Sequence, residues 1–114
     1  MALRMKTTIT IYRPGAAPEL RIEDMPEQPG YRAIAAYVEP LLDGANLERV
    51  NVLNDNRETD MFVDEMGQLK GLPRNDEATK VYRRIGLLRH PGIDPEMIPF
   101  IAGTAVLFHR KVWR

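Results

Sequence analysis

Phe62-Val63-Asp64-Glu65-Met66-Gly67-Gln68-Leu69-Lys70-Gly71-Leu72-Pro73-Arg74-Asn75-Asp76-Glu77 joins the end of a strand to the start of a helix, and its reading decides the fold. Met61-Phe62-Val63 is apolar and suits a strand. Met66-Gly67 turns the chain, and Gln68-Leu69-Lys70 reads as a short extended segment. Pro73 then precedes Asn75 and Asp76, either of which can cap a helix by accepting bonds from unpaired backbone N–H groups. Ala78, Val81, Tyr82, Ile85 and Leu88 follow at spacings of three and four, the core-facing stripe of a helix. On this reading Lys80, Arg83 and Arg84 take its outer face, and His90-Pro91-Gly92 stops it.

Upstream, Val50 and Val52 alternate within Leu47–Leu53, which predicts a strand. The polar run Asn54–Asp60 reads as the turn of a hairpin back into Met61–Val63. Thr7–Tyr12 alternates with Ile9 and Ile11 facing in, and Pro14–Pro18 breaks it before Glu19–Glu23 alternates again, giving a first hairpin. Tyr31, Ile34, Ala35, Val38 and Leu42 make a helical stripe. Pro40 predicts that this helix ends by Glu39 or kinks into a final turn, closed by Asp43-Gly44. Downstream, Asp94-Pro95-Glu96 has the order of a short helical start, and Thr104–Phe108 reads as a buried last strand.

The expected order is therefore β-β-α-β-β-α-β in one domain spanning residues 1–114. The expected fold class is α+β: one mainly antiparallel sheet with two helices on a face. The 114 residues suffice to bury a core, and 44% apolar with 28% charged residues is ordinary for a soluble globular chain. No apolar run approaches the ~20 residues of a membrane span, and the N-terminus lacks a signal-peptide core. A cytoplasmic protein without membrane contact is expected. Net charge is zero, yet residues 1–79 carry a net of −5 and residues 80–114 a net of +5.

Several chemistries are excluded by residue type. There is no cysteine and no serine, which removes disulfides, thiolate metal sites and the thiol and serine nucleophiles. His90 and His109 have no partner at ligand spacing, so no metal site is expected. Asp60, Asp64 and Glu65 suggest paired carboxylates, with Asp60 and Asp64 sharing strand parity, against the stronger reading of a solvated strand edge. No catalytic residue and no cofactor is assigned, and the balance leans away from an enzyme.

The candidate ligand site is Lys70, Gly71, Arg74 and Asn75. A helix N-terminus offers N–H groups and partial positive charge, two cations add to it, and glycine permits close approach. An anionic small molecule, such as a nucleotide or another phosphate-bearing compound, suits it. Asp76 and Glu77 compete for the same groups, and the glycine spacing of a phosphate-binding loop is absent. The basic residues Arg83, Arg84, Arg89, His90, Arg110, Lys111 and Arg114 invite comparison with a nucleic-acid surface, but a solvated basic face is the stronger reading at a pI of about 6.7.

Leu69-Lys70-Gly71-Leu72-Pro73-Arg74-Asn75, together with Pro40-Leu41-Leu42-Asp43-Gly44, Tyr12-Arg13-Pro14-Gly15 and Ile101-Ala102-Gly103-Thr104-Ala105, resembles a family of small phage, mobile-element and bacterial proteins of unknown function, DUF 3846. The resemblance implies an accessory role acting through a protein partner, and it carries over no catalytic residue. Val112 and Trp113 are the candidate interface. A large ring near a chain end folds back onto its own domain or docks on a neighbour. A homodimer is favoured over a monomer, with the last strand carrying Trp113 to a sheet edge.

Overall fold

The computed structural model describes residues 3–113. Both expected hairpins form. β1 (Arg4–Tyr12) pairs antiparallel with β2 (Glu19–Pro26), and β3 (Leu47–Asn54) pairs antiparallel with β4 (Arg57–Asp64). β5 (Ala105–Phe108) inserts between the two hairpins, giving one sheet in the order β2-β1-β5-β4-β3. Every pairing is antiparallel. It follows that β2, β5 and β3 run one way and β1 and β4 the other.

The second hairpin is tighter than its polar run predicts. Only Asp55 and Asn56 turn, both with positive φ (51° and 62°), as a two-residue hairpin loop requires. The remainder of the run is strand. Asp60 is therefore buried inside the sheet instead of lying in a turn or along a solvated edge.

Helix α1 (Gly30–Val38) stops where Pro40 predicts. A 3-10 turn over Glu39–Leu42 follows, and Asp43 and Gly44 take positive φ. Helix α2 (Asp76–Arg89) is capped by Asn75, whose side chain accepts from the Ala78 N–H. A 3-10 turn at Pro95–Met97 is capped by Asp94.

The two helices cover opposite faces of the sheet, where the sequence reading put both on one. Alternation along the strands decides this. Ile9, Ile11, Phe62, Val106 and Phe108 point to the face that α1 covers with Ile34 and Val38. Met61, Val63, Ala105, Leu107 and Val52 point to the other, where α2 contributes Ala78 and Val81. β4 and β5 thus carry an apolar requirement on both sides, the mark of a strand sandwiched between layers. α2 packs along β3 at one end of the sheet.

Two further expectations give way to tertiary contacts. Gln68–Lys70 is a compact turn, held by Lys70 N–H to Met66 O at 2.9 Å and Leu72 N–H to Gly67 O at 3.0 Å. Asp64 organises it, accepting from Met66 N–H and Lys70 Nζ, both at 2.8 Å. Arg83 does not sit on a solvated face. It is 8% exposed, with Nε donating to Ile98 O at 3.1 Å and Nη1 reaching Glu96 at 3.3 Å.

Candidate functional site

Lys70, Gly71, Arg74 and Asn75 lead into α2, and each has a structural engagement of its own. Asn75 is 1% exposed. Its Nδ2 donates to Tyr12 O and Gly103 O, both at 2.8 Å, while Oδ1 holds the first turn of α2. Its backbone N–H donates to Ile101 O. Asn75 therefore welds β1, the approach to β5 and α2 into one unit, and its polar atoms face inward. Lys70 pairs with Asp64, and Arg74 pairs with Asp76 at 3.1 Å while lying over the Phe100 ring at 5.3 Å. Gly71 has φ of +69° and open space where a side chain would stand. Both cations thus already have carboxylates, and the first-turn acids Asp76 and Glu77 hold the helix end.

Val112 and Trp113 are used within the chain. Val112 is 2% exposed in the α1-side core, and its N–H donates to Asp60 Oδ2 at 3.2 Å. Trp113 stacks on Phe62 at 5.9 Å with 13° between planes and meets Tyr31 at 5.2 Å. The Arg49 guanidinium lies 5.0 Å over the indole and donates to Trp113 O at 2.7 Å. Asp60 Oδ1, buried and without a hydrogen bond, faces Arg49 Nε at 4.0 Å. β5 is the central strand and not the edge that the sequence reading expected, although the residues that follow it bring Trp113 against Arg49 of the edge strand β3.

The basic C-terminal part is likewise distributed. Arg89 reaches Glu58 at 2.6 Å, whereas Arg110 donates to Thr7 Oγ1, Glu27 O and Pro26 O. Burial pushes the Arg110 pKa below its ordinary value, opposed by the nearby Glu27 carboxylate. Arg114 lies outside the described residues.

What the sequence reading missed is a groove beside β3. Two adjoining clefts, of about 390 Å³ and 270 Å³, share Val50 and Tyr82 as floor. One runs past Arg49, Asn51, Ile85 and His90; the other ends at Glu48, Glu65 and Phe100. β3 is an edge strand, and the two-residue turn fixes which of its groups point outward. Asn54 and Arg57 flank the turn as a hydrogen-bonded pair. By alternation Val52, Val50 and Glu48 bond to β4, and Leu53, Asn51, Arg49 and Leu47 direct N–H and C=O away from the sheet. A signal existed in the half-apolar alternation of Leu47–Leu53, but its edge position depended on strand order.

These features define a small three-layer α+β domain with an open strand edge bordering a partly apolar groove. No family model matches the sequence, and comparison with curated proteins and with solved structures returned no match. Among the described residues, no group of three or more His, Asp or Glu is placed to hold a metal ion, and no helix is long and apolar enough to cross a membrane.

Proposed function

We propose that the protein is a non-enzymatic accessory protein that binds a partner's extended peptide segment along β3. The observation that carries this reading is the outward-facing backbone of Arg49 and Asn51 directly beside the Val50–Tyr82 floor. A strand added there gains backbone hydrogen bonds, while its alternate side chains enter the groove, the division of labour of β-strand addition. Glu48 and Glu65 at one end favour a segment that carries a basic residue there, whereas Arg89 at the other end is already paired with Glu58. The phosphate-ligand reading at Lys70–Asn75 has less support, since its two cations are already paired with carboxylates.

Selection from a display library of short linear peptides, followed by NMR titration, tests the proposal. Shifts should concentrate on Leu47–Leu53 and on the Tyr82–His90 side of α2. Asn51→Pro removes one outward N–H and leaves the β3–β4 ladder intact, because Asn51 sits in a non-bonded pair with Asp60. It should weaken binding by at least about tenfold, the equivalent of one hydrogen bond near 1.4 kcal/mol. Selected peptides indifferent to Asn51→Pro, or no selection at all, would sink the reading.

A further inference from the structure

The opposite edge, β2, has a different character. Glu27 N–H donates to Leu3 O at 2.8 Å, which makes Leu3 and Glu27 a bonded pair. Alternation along the ladder then turns Glu19, Arg21, Glu23 and Met25 toward β1 and directs the N–H and C=O of Leu20, Ile22 and Asp24 outward. Pro18 and Pro26 fall at the next outward positions on either side, each four residues from Ile22, where a missing N–H costs no internal bond. The edge window is thus three residues centred on Ile22, fully open at Leu20 and Ile22, while Asp24 O accepts from Arg4 Nη2 at 2.7 Å and pairs with a second strand only when that exposed side chain swings aside. Leu20 and Ile22 are 68% and 67% exposed, on the face whose α2 lies at the far end of the sheet over β3.

We infer that β2 pairs antiparallel with β2 of a second copy of this chain, about a twofold axis through Ile22. A twofold axis perpendicular to a sheet requires one residue to face its own copy. Centring on Arg21 sets Arg21 against itself and Glu19 against Glu23, and centring on Glu23 sets that carboxylate against itself. Centring on Ile22 places Arg21 opposite Glu23 of the copy on both sides of the axis, and like charges nowhere face each other directly. That register also brings Ile22 against Ile22, Leu20 diagonally beside it, and each Pro18 opposite a Pro26, so the ladder ends where donors end. Arg21 already donates through Nε to Glu19 at 2.6 Å, which holds its guanidinium on this face of the edge. Three bonded residue pairs bury less than the ~1,200 Å² of a standard interface, so the dimer exchanges with monomer on dilution.

Light scattering of the full chain across a concentration series should give a mass rising from 13.0 kDa toward twice that value. Glu23→Arg sets two arginines face to face and should abolish the rise, and the double variant Arg21→Glu/Glu23→Arg should restore it. The chain has no cysteine, so Ile22→Cys supplies a unique thiol at an exposed position. Across a bonded antiparallel pair the Cα atoms lie about 5.5 Å apart, within disulfide reach. Mild oxidation should cross-link Ile22→Cys quickly and Leu69→Cys, more exposed but remote, at least about tenfold more slowly at the collision rate. A mass fixed at 13.0 kDa, a double variant that fails to restore association while keeping its circular dichroism, or equal cross-linking of the two cysteines would each overturn the inference.

Discussion

The two edges of this sheet are built on opposite plans. β2 presents three outward residues between two prolines and carries Leu20 and Ile22 exposed, on a face whose helix α2 packs along β3 at the far end of the sheet. β3 presents four outward residues without proline, with polar Arg49 and Asn51 among them, and is flanked by α2 on one face and by Trp113 on the other. An unpaired edge is a template for another strand, and what surrounds it decides which strand fits. The prolines and the self-complementary charges of β2 suit a short, symmetric partner. The groove and mixed charges of β3 suit an asymmetric one.

The largest way to break this contrast lies at Asn75, which holds α2 in register with the rest of the domain. Asn75→Ala removes the helix cap, worth about 1 kcal/mol, and leaves Tyr12 O and Gly103 O short of a buried donor at about 1–3 kcal/mol. Urea unfolding should register a loss of about 2–4 kcal/mol. The β3 groove should lose its peptide affinity with it, while Ile22→Cys cross-linking in that background persists wherever the fold does.

A smaller effect separates the edges by the C-terminal clasp. Trp113→Ala removes the indole from Phe62 and from beneath Arg49, and should cost about 1–2 kcal/mol for a ring only partly buried. The light-scattering curve should not change, because association is assigned to β2. A variant that no longer associates would return the interface to Trp113.

The smallest effect is electrostatic and confined to the β2 end. Arg21 first, then Arg13, hold the Glu19 carboxyl below its ordinary value of 4.5. A carboxyl depressed in the folded state stabilises the fold above its unfolded value, and the contribution is lost as pH falls through the lower folded value. Stability should therefore decline on the acid side, and Glu19→Gln should flatten that limb slightly without changing the neutral plateau. An unchanged acid limb would show that the exposed Arg13–Glu19–Arg21 cluster is fully screened.

Local chemistry was legible from the chain. Alternation in Thr7–Tyr12 located β1 and its inward isoleucines, Pro40 located the end of α1, and the cap candidates Asn75 and Asp76 announced α2, because each depends on residues a few positions apart. The candidate site was less so. The engagements of Lys70, Arg74 and Asn75 with Asp64, Asp76, Tyr12 and Gly103 involve strands and loops whose relative placement no local pattern gives.

Sequence alone determined the strands and helices in their order, both hairpins, the end of α1 and the exclusion of thiol and serine chemistry, since these follow from periodicity, backbone preference and side-chain inventory; it misplaced Gln68–Lys70, which is a turn. Tertiary structure decided that β5 enters the middle of the sheet, that α1 and α2 take opposite faces, and that Asp60 and Arg83 are buried. It also decided which strands are edges. The reason is that strand order and layering depend on pairings between residues far apart in the chain, where the same alternating pattern serves an edge strand and an inner one equally well.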